Sequence, residues 1–293
     1  MTAGLEAFSA SRGRLLGLAY RMLGSRADAE DVLQDAYLRY QALDPAEVRN
    51  PEALLVTTVT RLCLDRLKSA RRQREVYVGP WLPEPVLDGE QLSPETAAEV
   101  ADDLSFALLL TLEKLSAPER AAFLLHDVFE TPFAQVAETL GKSEAACRQL
   151  AARARKAVRS EKPARPVSPE AHRALAQRFA EVVMTGDASR LEALLAADAV
   201  AYTDGGGVKI AALNPIRGAD KVARFFAGIV SKNLDDARSS RFRAAEINGA
   251  PGFLVYLNGE LEQTVSLDVS DGRITAIYVV RNPHKLENLV FSS

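Results

Sequence analysis

Residues 132–159 read PFAQVAETLGKSEAACRQLAARARKAVR, and this stretch decides the first half of the fold. After Phe133, Val136, Ala137 and Leu140 sit at helical spacing, which predicts a short helix from Phe133 to Leu140 packed on one side. Gly141 supplies a residue tolerant of positive φ to end it, and Ser143 stands where the next helix needs an N-cap. Cys147, Leu150, Ala151, Ala154 and Val158 then recur on one helical stripe. Burying that stripe turns Arg148, Gln149, Ala152, Arg153 and Lys156 outward together. Two short helices about a tight turn, the second with a basic face, make a helix-turn-helix. Such a unit lays its second helix in the DNA major groove, where Arg and Gln meet base edges in pairs. An ordinary helical hairpin with a solvated basic side satisfies the same local pattern, so the rest of the chain must discriminate.

Charge is unevenly placed along the 293 residues. Residues 61–74 carry six Lys and Arg against one Asp, and residues 141–165 carry eight against two Glu. Between them, residues 80–120 carry nine Asp and Glu against two basic residues, while residues 168–293 nearly balance. Two separate basic helical segments are an electrostatic footprint for nucleic acid, and the balanced tail is not. With 47% hydrophobic residues the chain has room for two or three domains with full cores. It has no long apolar run and no basic–apolar–small leader, so a cytoplasmic protein without membrane contact is expected. Cys63 and Cys147 fall on apolar helix faces and read as buried thiols. Two cysteines and three histidines without ligand spacing predict neither a metal site nor a cofactor.

Upstream, Ser25 caps a helix expected to run to Tyr40, with Ala29, Val32, Leu33, Ala36, Tyr37 and Tyr40 as its apolar stripe. Its other side concentrates Asp28, Glu30, Asp31, Gln34 and Asp35, either a solvated surface or a docking face for a basic protein. Asn50-Pro51 opens a further helix whose buried seam is Leu55, Val59, Leu62, Cys63 and Leu67. Arg61, Asp65, Lys68 and Arg72 share another of its faces.

At this point a family resemblance becomes specific. Leu18-Ala19-Tyr20-Arg21-Met22-Leu23-Gly24 followed by Ala27-Asp28-Ala29-Glu30-Asp31-Val32 resembles the start of the sigma-two domain of extracytoplasmic-function (ECF) sigma factors. Asn50 through Arg74 is similar to that domain's promoter-melting and minus-ten-reading segment, and Leu115-Ser116-Ala117-Pro118-Glu119-Arg120 plus the helix-turn-helix resembles sigma-four. The resemblance implies that Asp28, Glu30, Asp31, Gln34 and Asp35 bind the core of RNA polymerase. It implies that Arg61, Asp65, Lys68 and Arg72 contact the minus-ten region of promoter DNA. Arg148, Gln149 and Arg153 would read the upstream element, with Ser143 and Lys156 on nearby phosphates.

Gly79-Pro80-Trp81-Leu82-Pro83-Glu84-Pro85 cannot be helical throughout, which predicts an extended linker from Val76 to Pro94. After Ser168 the pattern changes to helices at Pro169–Thr185, Ser189–Ala196 and Ala219–Val230, with a strand at Val200–Tyr202. Alternating strands follow at Arg241–Ile247, Gly252–Leu257, Glu262–Val269 and Ile274–Val280, punctuated by Asn248-Gly249, Asn258-Gly259 and Asp271-Gly272. Helices followed by an antiparallel sheet suggest an α+β cone.

That order resembles the SnoaL-like branch of the nuclear-transport-factor-two superfamily. Trp81-Leu82-Pro83-Glu84-Pro85, Tyr202-Thr203-Asp204-Gly205-Gly206-Gly207 and Asn282-Pro283-His284-Lys285-Leu286 sharpen it to sigma factors of the SigJ type. Two positions depart from that type: Val208 stands where Lys is usual, with Lys209 adjacent, and His284 where Asp is usual. The expected organisation is multidomain: two all-α sigma domains followed by an α+β cone. It divides into a sigma-two domain over 1–76, a linker over 77–100, sigma-four over 101–161, a second linker over 162–167 and the SnoaL-like domain over 168–293. Trp81, Leu82, Pro83, Glu84, Pro85, Asp204, Gly205, Gly206, Gly207, Asn282, Pro283, Lys285 and Leu286 are the expected regulatory contacts through which the tail acts on the sigma domains.

The expected function is therefore promoter recognition with core polymerase, by a chain that is monomeric when free and is not an enzyme. Two alternatives stay open. A plain helix-turn-helix regulator would leave the acidic face of Asp28–Asp35 without a role. A tail that is an enzyme would draw its acid–base groups from Tyr202, Asp204, Asp268 and His284, and a tail with a pocket could instead sense a small-molecule ligand without turnover.

Overall fold

The computed structural model describes residues 3–44, 48–87, 104–161, 167–232, 239–287 and 289, with the side chains of 3–7, 70–73, 75 and 161 outside that description. The chain forms two compact units. Among the described residues the first holds everything up to Val76 and from Ala107 to Glu161, and the second holds 77–87, 104–106 and everything from Val167 on.

The first unit is all helical. α1 (Ala3–Leu23) packs against α2 (Arg26–Gln41) and α3 (Pro51–Glu75). Leu15, Leu18, Ala19, Tyr20 and Met22 of α1 are buried together with Val32, Leu33 and Ala36 of α2 and Leu55, Val59 and Cys63 of α3. The caps are those expected from the sequence: Ser25 Oγ accepts from Asp28 N at 3.2 Å, and Asn50 Oδ1 accepts from Ala53 N at 3.0 Å. Cys63 and Cys147 are fully buried thiols, and burial pushes Cys63 up from its ordinary value.

α4 (Phe106–Lys114) and α5 (Ala117–Phe123) follow, and α5 runs on into a π turn over Leu124–Val128, where Phe129 N donates to Leu124 O at 2.9 Å. Their anchor is electrostatic. Arg120 of α5 donates to Glu113 at 2.7 Å and to Met22 O at 2.5 Å, while Arg74 of α3 pairs with Glu113 and donates to Leu23 O at 2.5 Å. Two cations thus cap the last carbonyls of α1, at the negative end of its dipole. Burial draws both guanidinium groups down to about 10, still far enough above neutrality to keep them charged. α6 (Phe133–Leu140) and α7 (Glu144–Glu161) complete the unit, joined by Gly141 at φ +63°.

In the second unit α8 (Pro169–Thr185), α9 (Ala188–Glu192) and α10 (Ala219–Lys232) accompany a six-stranded sheet. Its strands are β1 (Leu195–Asp204), β2 (Ile216–Arg217), β3 (Ser240–Ile247), β4 (Ala250–Leu257), β5 (Glu260–Ser270) and β6 (Arg273–Val280), in the order β2-β1-β6-β5-β4-β3. β1 runs parallel to β6, with Tyr202 opposite Tyr278, and every other pair is antiparallel. Asn248-Gly249, Asn258-Gly259 and Asp271-Gly272 all have positive φ at both residues, the type I′ geometry that matches strand twist. The helix expected over Ser189–Ala196 ends at Glu192, because Leu195 already belongs to β1, and the two-residue β2 was not anticipated.

Phe179, Val183, Val222 and Phe226 pack on Phe253, Val265, Leu267, Ile277 and Val279, which fixes one sheet face as the core. Residues of β5 and β6 that alternate with these point the other way. There the Tyr278 ring stacks on Tyr202 at 5.5 Å and on Phe106 at 5.1 Å, and its hydroxyl donates to Asp268 at 2.6 Å. Burial holds the Asp268 carboxyl above its ordinary range, with the Tyr278 hydroxyl partly opposing that. A raised folded-state value means that ionisation of Asp268 opposes folding. Its contribution is most favourable below the ordinary Asp value of 3.8 and is lost as pH climbs through the raised one. Asp268→Asn keeps an acceptor for Tyr278 and removes the ionisation. It should raise the urea midpoint of the second unit at neutral pH, read by Trp81 fluorescence, and the gain should vanish on acidification below the ordinary Asp value.

Candidate functional site

Helix α7 is divided as its periodicity requires: Cys147, Leu150, Ala151, Ala154 and Val158 are buried, and Arg148, Gln149, Ala152, Arg153 and Lys156 are exposed. Ser143 Oγ accepts from Ala146 N at 3.2 Å and Ser143 O from Cys147 N at 3.0 Å, so this residue starts the helix. Arg148 is 2.5 Å from Glu144 and lies over the Phe133 ring, 5.2 Å from its centroid. Arg153 reaches back to Glu119 of α5 at 2.6 Å. The Ser116 hydroxyl, and then Arg153, hold the Glu119 carboxyl below its ordinary range. Neighbouring Arg155 pairs with Asp127 at 2.5 Å.

On α3 Arg61, Asp65 and Lys68 are all exposed, but Arg61 already has partners on a neighbouring helix. Arg61 donates to Thr139 O at 3.2 Å and Glu138 O at 3.0 Å, and the Thr57 and Thr139 hydroxyls are 3.0 Å apart. Arg61 therefore caps the C-terminal end of α6. Asp65 and Lys68 pair at 2.8 Å on the open surface, and the side chain of Arg72 lies outside the described residues. The acidic face of α2 is partly neutralised from within: Arg66 reaches Asp28 at 2.8 Å and Asp31 at 2.7 Å, and Arg26 reaches Glu30 at 3.2 Å. Gln34 and Asp35 are exposed.

The second unit contains the other expected set. Residues 77–87 lie along the domain that follows Val167, and the clasp that holds them centres on Asp204 at the end of β1, whose exposure is 0%. One carboxylate oxygen accepts from the Tyr77 hydroxyl at 2.6 Å and Gly206 N at 3.0 Å. The other accepts from Leu82 N at 2.9 Å and the Lys285 ammonium at 2.7 Å. Lys285 also donates to Leu82 O and sits 4.2 Å from the Trp81 ring centroid and 5.1 Å from that of Tyr77. Asn282 donates to the Tyr77 oxygen at 2.8 Å and accepts from His284 N at 3.1 Å, capping α11 (Pro283–Leu286). Burial, and then the Asp204 carboxylate, push the Tyr77 phenol above its ordinary value, so it remains a neutral donor. Gly206 has φ +63°, and a Cβ there would collide with the Asn282 side chain.

Leu82, Pro83, Glu84 and Pro85 are buried against this domain. A second grip lies just beyond: Asn248 N donates to Val86 O at 2.8 Å, Val86 N donates to Asn248 Oδ1 at 3.0 Å, and Asn248 Nδ2 donates to Leu104 O at 3.1 Å. Neither Tyr77 nor Asn248 was singled out for this role in the sequence. Tyr77 lies outside every motif, and Asn248 reads only as a turn residue, since its full burial is visible only in the fold. At the two unusual positions, Val208 is exposed, and Lys209 pairs with Glu262 at 2.9 Å beside Arg281, which reaches Glu262 at 2.6 Å. His284 contributes its backbone N–H, and its exposed ring faces Glu287 at 3.4 Å.

Tyr202, Asp204, Asp268 and His284 do not bond to one another. Asp204 is filled by four donors, Asp268 is bound by Tyr278, and His284 faces the surface. Among the described residues no group of three His, Cys, Asp or Glu could hold a metal, and no helix is long and apolar enough to cross a membrane.

Comparison with known proteins agrees with this layout. Residues 7–73 match sigma-70 region 2 and residues 105–158 match sigma-70 region 4. The ECF RNA polymerase sigma factor SigJ of Mycobacterium tuberculosis is 40% identical over 287 residues, covering 95% of this chain and 91% of that protein. The chain is an ECF sigma factor. The crystal structure of SigJ from the same organism superposes on this sigma factor with a TM-score of 0.76 at 37% identity, covering 97% of this chain and 98% of that one. Probable ECF RNA polymerase sigma factor SigI of M. tuberculosis is 31% identical over 290 residues, covering 97% of this chain and 94% of that protein. Sigma factors are not enzymes, and the saturated Asp204 of this one belongs to the linker clasp.

Removing the Asp204 carboxylate should release the clasp. Asp204→Ala takes the countercharge from Lys285, whose side chain is only 11% exposed, and should cost about 3–5 kcal/mol in the second unit. Trp81 is the chain's single tryptophan, so its emission should shift to the red as water reaches the ring. Emission and stability unchanged from the parent would refute a clasp built on Asp204.

Proposed function

We propose that this sigma factor joins core RNA polymerase and directs it to promoter DNA, with α7 reading the upstream element and the C-terminal domain regulating that act through the linker. The observation that carries the first part is the exposed row of Arg148, Gln149 and Lys156 on a buried-backed recognition helix. A helix so presented fits the major groove, where a guanidinium meets guanine and a carboxamide meets adenine. Ser143 adds its place at the positive end of α7, next to which a phosphate is favoured. Arg61, Asp65, Lys68 and Arg72 are the proposed minus-ten contacts, and Arg61 must leave the carbonyls of Glu138 and Thr139 before it can serve. The exposed acids of α2, with Gln34, are the proposed surface for polymerase, where Arg66 competes for Asp28 and Asp31.

The clasp supports the regulatory part. Residues 77–87 directly follow α3, and region 4 begins after residue 104, so whatever holds this segment bears on both DNA-reading regions through the chain itself. The C-terminal domain holds it with a buried ion pair and two sets of backbone bonds, a grip suited to biasing promoter engagement in place of a separate inhibitor. The chain acts as a monomer in this reading until it meets polymerase.

Run-off transcription with bacterial core RNA polymerase tests both parts. The full chain should initiate from a cognate promoter, and truncation after Val167 should change the yield. Initiation with equal yield from both forms would refute regulation by the tail. Failure of every form to associate with core polymerase would refute the whole reading.

A further inference from the structure

Arg148 is gripped from two sides. Glu144, one turn earlier on α7, holds its guanidinium at 2.5 Å, and the ring of Phe133 on α6 lies 5.2 Å from its central carbon. Phe133 has its own partner. The His126 ring stacks on it with centroids 3.8 Å apart, and His126 Nδ1 is 3.0 Å from Thr131 O, within the loop leading to α6. Pro132, at φ −59° and ψ 143°, then fixes how the chain enters that helix. Phe133 is only half-buried, unlike Val136 and Ala137 on the same helix, so part of its ring remains as a platform.

A long arginine on a helix surface ordinarily samples many rotamers and loses that freedom when it docks on a base pair. A planar guanidinium already resting on an aromatic face loses less, and its plane has a preset direction. Arg153 is oriented differently, toward Glu119 on α5, and ties the recognition helix to its own domain.

We propose that Phe133 is a positioning residue for base specificity: it holds the Arg148 guanidinium, with Glu144 on its other flank, in the plane that meets the O6 and N7 atoms of one guanine in the upstream element. This rests on the reading of Arg148 as a base-reading residue, and it assigns to α6 a share in specificity that the exposed face of α7 alone does not reveal.

The test is selection of a duplex library, randomised over the upstream element, by the full chain assembled on bacterial core RNA polymerase. The parent is compared with Arg148→Ala, Phe133→Leu, Phe133→Tyr and the Phe133→Leu/Arg148→Ala double variant. Arg148→Ala should erase the preference for one guanine. Phe133→Leu should weaken that same preference about two- to fivefold and leave the other positions alone. Phe133→Tyr, which keeps the ring, should retain it, and Phe133→Leu should add nothing once Arg148 is gone. Phe133→Leu that keeps the parental preference, or that lowers affinity equally at every position, would overturn the proposal. Arg148→Ala that keeps every base preference would instead remove Arg148 as the reader, and the proposal with it.

Discussion

A carboxyl group cut off from water needs the protein to satisfy the oxygens that water would have solvated, and Asp204 is where this chain meets that condition. Four donors converge on its two oxygens, from Tyr77, Leu82, Gly206 and Lys285. They come from three stretches of chain far apart in sequence: the linker, the glycine loop after β1 and the short helix α11 after β6. Because each donor left unmade would strand a buried charge, the group enforces their convergence more strictly than apolar packing could. The linker's path follows from this, including the burial of Leu82 and the approach of Lys285 to Trp81. Asn248 repeats the logic with neutral groups, using one end of its amide on Val86 N of the linker and the other on Leu104 O just before α4.

The helical unit uses charge in a different way. A count of its basic residues overstates what is offered to nucleic acid, because several arginines are spent on the protein itself. Arg120 and Arg74 close the end of α1, Arg61 closes the end of α6, Arg66 faces the acids of α2, and Arg153 and Arg155 tie α7 to α5 and the π turn. Guanidinium groups suit such work, since their fixed fork of donors matches pairs of carbonyl and carboxylate oxygens. The surface left over on α7 is narrow, with Arg148, Gln149 and Lys156 at its centre.

Most elements could be read from the residues. Helices α2, α3, α6 and α7 follow from apolar spacing and from Ser25, Asn50, Gly141 and Ser143 at their ends, and the hairpins of the second unit from three Asn-Gly or Asp-Gly pairs, whereas α1, α4 and α5 were not read from spacing. These signals are local, so each is complete in its own stretch of sequence. The candidate site was legible only where a motif concentrated it: Trp81–Pro85, Asp204–Gly207 and Asn282–Leu286 meet in one place. Tyr77 and Asn248 escaped because a single polar residue carries no spacing, and its partner lies more than a hundred residues away.

Periodicity, capping residues and turn pairs therefore determined by themselves α2, α3, α6, α7 and the long strands β3 to β6, which of their faces turn inward, and that two basic helices precede an α+β tail. What only the tertiary structure decided is the employment of each charge. Sequence places Arg61, Arg148 and Arg153 alike on polar helical faces, yet one caps a helix, one rests on an aromatic ring beside a carboxylate, and one binds a neighbouring helix. The physical reason is reach: a long cationic side chain can satisfy any acceptor within several ångströms, and which acceptor stands there is set by chain segments that the local pattern does not contain.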